Sequence, residues 1–208
     1  MQAFFKNLHN TVIAGFVLAL ILLALALKLQ GYDPGSFWMF VVRWLHVICG
    51  VMWIGLLWYF NFVSTPATVK NPAEVKPVLG KFITPPALFW FRWAAMGTIV
   101  FGIILAWQNN YLLQAYSLDF SDGMPGWPVV PKALGIGIGM WLGTIMWFNV
   151  WFLIWPNQQK VLNIGNRFAD LAQADKDAAA NTAGMFSRVN TMLSIPMLFA
   201  MVSASHLY

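Results

Sequence analysis

Cysteine is almost missing from this chain: Cys49 stands alone, so neither an intrachain disulfide nor a cysteine-clustered zinc or iron–sulfur site can form. The C-x-x-C-H string that attaches c-type haem covalently is absent as well. Charge is scarce. Only 9% of the residues are Asp, Glu, Lys or Arg, where a soluble globular chain carries about a quarter. The formal net charge of +5 does not indicate a nucleic-acid partner, because the basic residues are scattered singly between apolar runs instead of forming a phosphate-binding patch. Glycine-rich phosphate loops, H-E-x-x-H and serine-nucleophile motifs are also lacking.

What fills the chain is apolar and aromatic: 60% hydrophobic residues, with twelve Trp and seventeen Phe. Rings of that kind collect at membrane interfaces. Runs of about 20 apolar residues mark helices long enough to cross a bilayer. Five occur, at approximately 11–27, 37–63, 86–107, 133–155 and 185–207. The expected fold is therefore an all-α integral membrane protein, a bundle of about five transmembrane helices forming a single domain over 1–208. The first run follows Lys6 and reads as a retained span, not a cleaved signal, since a signal h-region is only about 7–15 residues long. Gly135, Gly137 and Gly139 open the fourth span, where helices can approach closely. Pro196 should kink the fifth.

The connections 64–85 and 156–184 are polar and read as short surface helices. The connection 108–132, with Asp119, Asp122, Pro125, Pro128 and Pro131, reads as an irregular surface loop of slightly negative charge. With five spans, one side holds Lys6, Lys70, Lys76, Lys81, Lys160, Arg167, Lys176 and Arg188, while the other holds Lys28 and Lys132. That bias predicts a cytoplasmic N-terminus and an external C-terminus.

Polar groups inside a span cost a few kcal/mol on insertion scales and need a reason to be there. Two clusters emerge from the topology. In the outer half, span two carries Arg43, His46, Gly50 and Trp53 at steps of three and four, continuing to Leu57 and Asn61, and so on one helical face. His206, at the outer end of span five, falls at the same membrane face; His9 falls at the other. Gly50, one turn from His46, leaves room for a flat group. Haem takes axial histidine and its propionates seek arginine; equally, His46 can be a polar residue hydrogen-bonded across helices, with Gly50 serving close packing. The inner cluster is Asn61, Arg92, Asn149, Asn190 and Thr191. It suits either an anionic or amide-rich ligand or an interhelical network that fixes register. No carboxylate occurs in any span, which argues against a proton-relay transporter.

Several strings carry a family resemblance. Arg43-Trp-Leu-His46, Gly50, Trp53-Ile-Gly55 and Tyr59-Phe-Asn61 resemble the membrane domain of the urate-oxidising membrane proteins, the urate oxidase N-terminal or urate hydroxylase type. So do Phe91-Arg92-Trp93, the run from Asn149 to Gln158, and Asn190-Thr-Met-Leu-Ser194-Ile-Pro196. Better-known members fuse this domain to a C-terminal c-type cytochrome; this chain ends at Tyr208 without one and resembles a short form. The resemblance implies a membrane redox protein of the bacterial inner membrane, possible membrane oxidoreductase chemistry, and haem b near the external face. His46 is then the axial ligand, His206 a second, Arg43 a propionate partner, and Gly50 and Trp53 part of the pocket. The partners implied are the lipid bilayer with a cytochrome c or a respiratory membrane complex. The alternative is a cofactor-free membrane subunit that packs against a larger complex or forms a homo-oligomer.

The charge bias makes one direct prediction. A reporter active only in the periplasm should work when fused after Tyr208, and activity there of a cytoplasm-only reporter would overturn the five-span topology.

Overall fold

The computed structural model describes residues 6–30, 33–70, 78–118 and 132–207. Among these there are helices and turns and no strand. Five helical stretches, Leu8–Leu29, Gly35–Thr68, Leu79–Gln108, Ala133–Val161 and Gln173–His206, are long and apolar enough to span a membrane. They match the five expected runs in number and order, but each is longer than its apolar core. The first three are extended at both ends, the fourth only at its C-terminal end and the fifth only at its N-terminal end, by residues too polar for hydropathy alone to register.

Two compact units divide the chain, residues 1–41 and 42–208. The first contains helix α1, Leu8–Gln30, and the beginning of α2, Pro34–Trp58. Each helix starts on a side-chain cap, which satisfies orphan first-turn amides. The Asn7 Oδ1 accepts the amides of His9 and Asn10 at 3.0 and 3.5 Å. Asp33 Oδ2 accepts the Ser36 amide at 3.0 Å. None of the most apolar window of α1 is buried.

In the second unit, α2 passes through a π-helical segment, π1 (Tyr59–Ser64), into α3 (Thr65–Lys70). A second π-helical segment, π2 (Leu79–Ile83), leads into α4 (Thr84–Gln108), whose opening turn carries Pro85 and Pro86, where missing amide hydrogens cost nothing. The chain reverses at Asn110, in the left-handed region at φ 59°, and forms the short α5 (Leu112–Tyr116). The connection expected to be irregular thus begins with a helix; its remainder, residues 119–131 with Asp119, Asp122 and the three prolines, lies outside the described residues, as do 71–77 of the preceding connection. Helix α6 (Lys132–Phe148) continues through π3 (Asn149–Ile154) into α7 (Trp155–Val161), and α8 (Gln173–His206) runs back along it with Pro196 in its interior. The glycines of α6 act as expected. A Cβ on Gly137 would collide with the Ala115 carbonyl of α5, and one on Gly139 would press on Ala200 and Met201 of α8.

The core joins these helices through Trp53, Leu57, Phe91, Ala95, Met146, Val150, Ile154 and Met197. Inside it, Asn149 Nδ2 donates to Asn190 Oδ1 at 2.8 Å, and Asn190 Nδ2 donates to the Met146 carbonyl at 2.9 Å. Asn190 is fully buried, so this pair fixes the register of π3 against α8. Asn190→Leu should therefore cost about 1–2 kcal/mol, the usual scale of a membrane interhelical hydrogen bond, by stranding the Asn149 amide. The double variant Asn149→Leu/Asn190→Leu should recover part of that loss in SDS titration of the detergent-solubilised protein. A single variant as resistant as the parent would show that the pair does not hold the helices.

Candidate functional site

At the end of the second unit where α2 begins and α8 finishes, a cavity of about 660 Å³ opens between α2, α4, α6 and α8. That is within the range of small-molecule and cofactor sites, roughly 300–1,000 Å³. Arg43, His46, Gly50, Trp53 and His206 all line it. The helical stripe on α2 and the terminal histidine of α8, separated by most of the chain, thus share one space.

His46 owes its setting to α4. Its Nδ1 lies 2.9 Å from the main-chain oxygen of Thr98. A carbonyl only accepts, so the proton sits on Nδ1 and the lone pair is left on Nε2, which has no hydrogen bond among the described residues. Holding one ring nitrogen in this way fixes both tautomer and ring orientation, the usual support for a metal-ligating imidazole. Gly102 makes the arrangement possible. A Cβ there would stand 3.0 Å from Cε1 and 3.2 Å from Nδ1 of His46. Gly97 plays the same part for Cys49, whose Sγ would lie 2.7 Å from an added Cβ. Gly50 meets only the Thr98 methyl, at 4.0 Å. His206 has the same chemistry in a looser form: its Nδ1 donates to the Val202 carbonyl one turn back, at 3.0 Å, and the residue is exposed.

The rest of the wall is apolar and sulfur-rich, with Ile99, Met140, Met197 and Met201 among its residues. Trp53 is 1% exposed, and its indole N–H is buried without a hydrogen-bond partner. Tyr111 and Tyr116 close the end from the α5 side; the Tyr116 hydroxyl lies 2.9 Å from Thr144 Oγ1, and Trp141 donates to the Tyr116 carbonyl at 2.9 Å. Burial pushes the Tyr111 phenol above its ordinary range, and the positive charge of Arg43 offsets part of that shift. Thr98, Gly102, Tyr111 and Tyr116 were not singled out from sequence. A backbone acceptor leaves no mark in side-chain identity, and the tyrosines fall in a connection that reads as loop.

The inner cluster does not assemble into one pocket. Asn149 and Asn190 bond to each other in the core. Asn61 Nδ2 donates to the Leu57 carbonyl at 2.9 Å and to Ser187 Oγ at 2.8 Å. Thr191 donates to the Ser187 carbonyl within α8. The Arg92 guanidinium instead packs on indole rings, its Cζ 3.6 Å from the Trp155 centroid and 5.5 Å from that of Trp151. One Arg92 nitrogen, Nη1, is buried without a partner. Cation–π stacking replaces the ion pair that this helix cannot supply.

Residues 129–208 match the urate oxidase N-terminal family. The matched stretch contains the Asn149–Gln158 run, the Asn190–Pro196 run and His206, and supports the resemblance that those strings suggest; Arg43 and His46 lie before it. No curated protein and no solved structure matches the chain.

The glycine contact gives a test independent of any ligand. Gly102→Ala should push the imbalance onto the imidazole and break its bond to Thr98, costing about 1 kcal/mol of stability. In protein labelled with ¹⁵N-histidine, the His46 signals should leave the Nδ1–H tautomer. Gly15→Ala, where nothing lies within 4 Å, should leave the His46 signals unchanged and, by removing a mid-helix glycine, should not destabilise the protein. An unaltered His46 spectrum in Gly102→Ala would remove the assigned support.

Proposed function

We propose that this chain is a small membrane redox protein of urate-related oxidation that holds haem b in the cavity between α2, α4, α6 and α8, and exchanges electrons with a cytochrome c or a membrane complex. The observation that carries this reading is His46: an imidazole with its Nδ1 proton committed to a main-chain carbonyl, a free Nε2, and a place in the wall of an apolar cavity. The family match supplies the link to urate oxidation. The bilayer supplies the surroundings for five helices whose apolar faces are largely exposed.

The residues present fit such a group. The cavity has the necessary room, a second histidine on a different helix, one guanidinium and an unpartnered indole donor. His46 would hold the iron, and His206, which lines the same cavity, is the candidate for a second ligand. Arg43, exposed at the rim, would neutralise the propionate carboxylates. Haem, when bound, would supply reversible one-electron redox chemistry. The chain's own contribution is to fix the ligand ring, to line the site with methionine and isoleucine so that water is kept from it, and to place the site at the end of the bundle, within reach of a soluble carrier. The Cys49 thiol, pressed against Gly97, has no part in this.

Purified protein should show a Soret band that His46→Ala abolishes and Cys49→Ala leaves intact, since the axial imidazole is the main bond to a non-covalent haem. His206→Ala should retain the pigment and shift it to a high-spin spectrum. A colourless protein made with ample haem supply would sink the proposal and leave the cofactor-free subunit in its place.

A further inference from the structure

A second cavity, of about 430 Å³, lies at the opposite end of the same unit, where α2 runs out through π1, α4 begins and α7 ends. It differs from the first in chemistry. Ser64, Thr65, Asn61, Gln158, Ser187 and Arg188 contribute polar groups to its wall, and among the described residues no carboxylate does. Four of these groups are unspent: the Ser64 and Thr65 hydroxyls, the Gln158 amide and the Arg188 guanidinium make no side-chain hydrogen bond or ion pair among the described residues. Asn61 is held by its amide nitrogen, which leaves its carbonyl oxygen free. The opposite wall is apolar, with Phe60, Leu88, Phe91 and Ile154.

Two of the three π-helical segments contribute to its wall: Phe60, Asn61 and Ser64 belong to π1 and Ile154 closes π3, while Thr84 stands directly after π2. A π-turn inserts an extra residue and is frequent at functional sites. Here each segment also runs into a proline, Pro66, Pro85 or Pro156, which has no amide hydrogen for an α-turn.

The charge at this end narrows the ligand. Lys70, Lys81 and Lys160 lie on elements that border the cavity, and Arg188 is in its wall. Asp175 and Asp177 at the start of α8, and Asp170 before it, are exposed and outside the wall, so among the described residues the wall itself carries only positive charge. With the bundle in a bilayer, this is the level of the headgroups on the lysine- and arginine-rich side. Basic pockets between transmembrane helices on that side take anionic lipid headgroups.

We propose that the second cavity binds the oxyanion headgroup of an anionic phospholipid, with Arg188, Ser64 and Thr65 on the phosphate, Gln158 and the free Asn61 oxygen on headgroup hydroxyls, and the apolar wall along the first part of the acyl chains. The proposal rests on the membrane-spanning reading of the five helices and not on haem.

The test uses the full chain in neutral detergent, with phosphatidylglycerol, phosphatidylcholine or free glycerol phosphate added, followed by native mass spectrometry and thermal melting. Phosphatidylglycerol should persist as a bound adduct and raise the melting temperature, whereas phosphatidylcholine should do neither. Arg188→Gln should weaken adduct retention roughly fivefold, as expected for loss of one basic contact, and Arg188→Lys should keep most of it. Arg167→Gln removes an exposed cation outside the cavity wall and should have no effect. Equal retention of the two lipids, or equal losses from Arg188→Gln and Arg167→Gln, would overturn the site. Stabilisation by glycerol phosphate as strong as by the lipid would overturn the lipid as source and leave a soluble oxyanion. The visible spectrum of the same samples separates the two proposals. A colourless protein that retains phosphatidylglycerol defeats only the haem, and a coloured one that does not retain it defeats only this site.

Discussion

How closely α2 can approach α4 governs the first cavity. Glycine at positions 97 and 102 removes the two side chains that would hold the helices apart, and the Thr98 carbonyl between them becomes reachable by His46. One contact then does three things: it anchors the imidazole, selects its tautomer, and leaves the second nitrogen to the cavity. A larger residue at position 102 would not merely tighten the packing. It would remove the hydrogen bond that orients His46 among the described residues, and the cavity would lose its directed group.

The same economy of polar groups runs through the rest of the unit. In an apolar medium a buried donor or acceptor without a partner inside the protein is costly. Several here find one across helices: Trp58 donates to the Ser194 hydroxyl at 2.9 Å, Asn61 to the Ser187 hydroxyl, Asn149 to the Asn190 side-chain carbonyl, and Asn190 to the Met146 main-chain carbonyl. No acidic residue stands on α4, and Arg92 turns to indole faces. Arg188, on a helix whose carboxylates Asp175 and Asp177 lie more than two turns away, is left without a counter-charge among the described residues. The two arginines answer the same shortage differently, and only the second stands in the wall of a cavity.

The sequence discloses the spans and the first cavity's stripe because both depend on periodicity. Arg43, His46, Gly50 and Trp53 keep α-helical steps, and counting spans brings His206 to the same end. Beyond Trp53 the stripe no longer lines the first cavity: Leu57 is buried in the core and Asn61, in π1, stands in the wall of the second. Nothing in the residue types Tyr59–Ser64 announces a π-turn, so the inner polar residues look like one cluster in sequence and divide into three arrangements in space. The tyrosines of α5 were hidden for another reason. Their helix is too short for periodicity to reveal and is held by contacts to Gly137 and Thr144 distant in sequence.

Between the two cavities the core is continuous. It reaches the first through Trp53, Ile54 and Met197 and the second through Phe91, Ile154 and Ala183, with the Arg92 guanidinium at its edge on the indole of Trp151. Arg92 aside, this layer has the electrical character of an insulator. The asparagine pair is polar but cannot take up or release a proton at physiological pH, so it offers no stepping stone for proton hopping. In a bilayer, a potential of 100 mV is worth about 2.3 kcal/mol for each unit charge carried across, and the drop is concentrated where the dielectric is lowest. A charge held in either cavity therefore stays close to the potential of its own aqueous side.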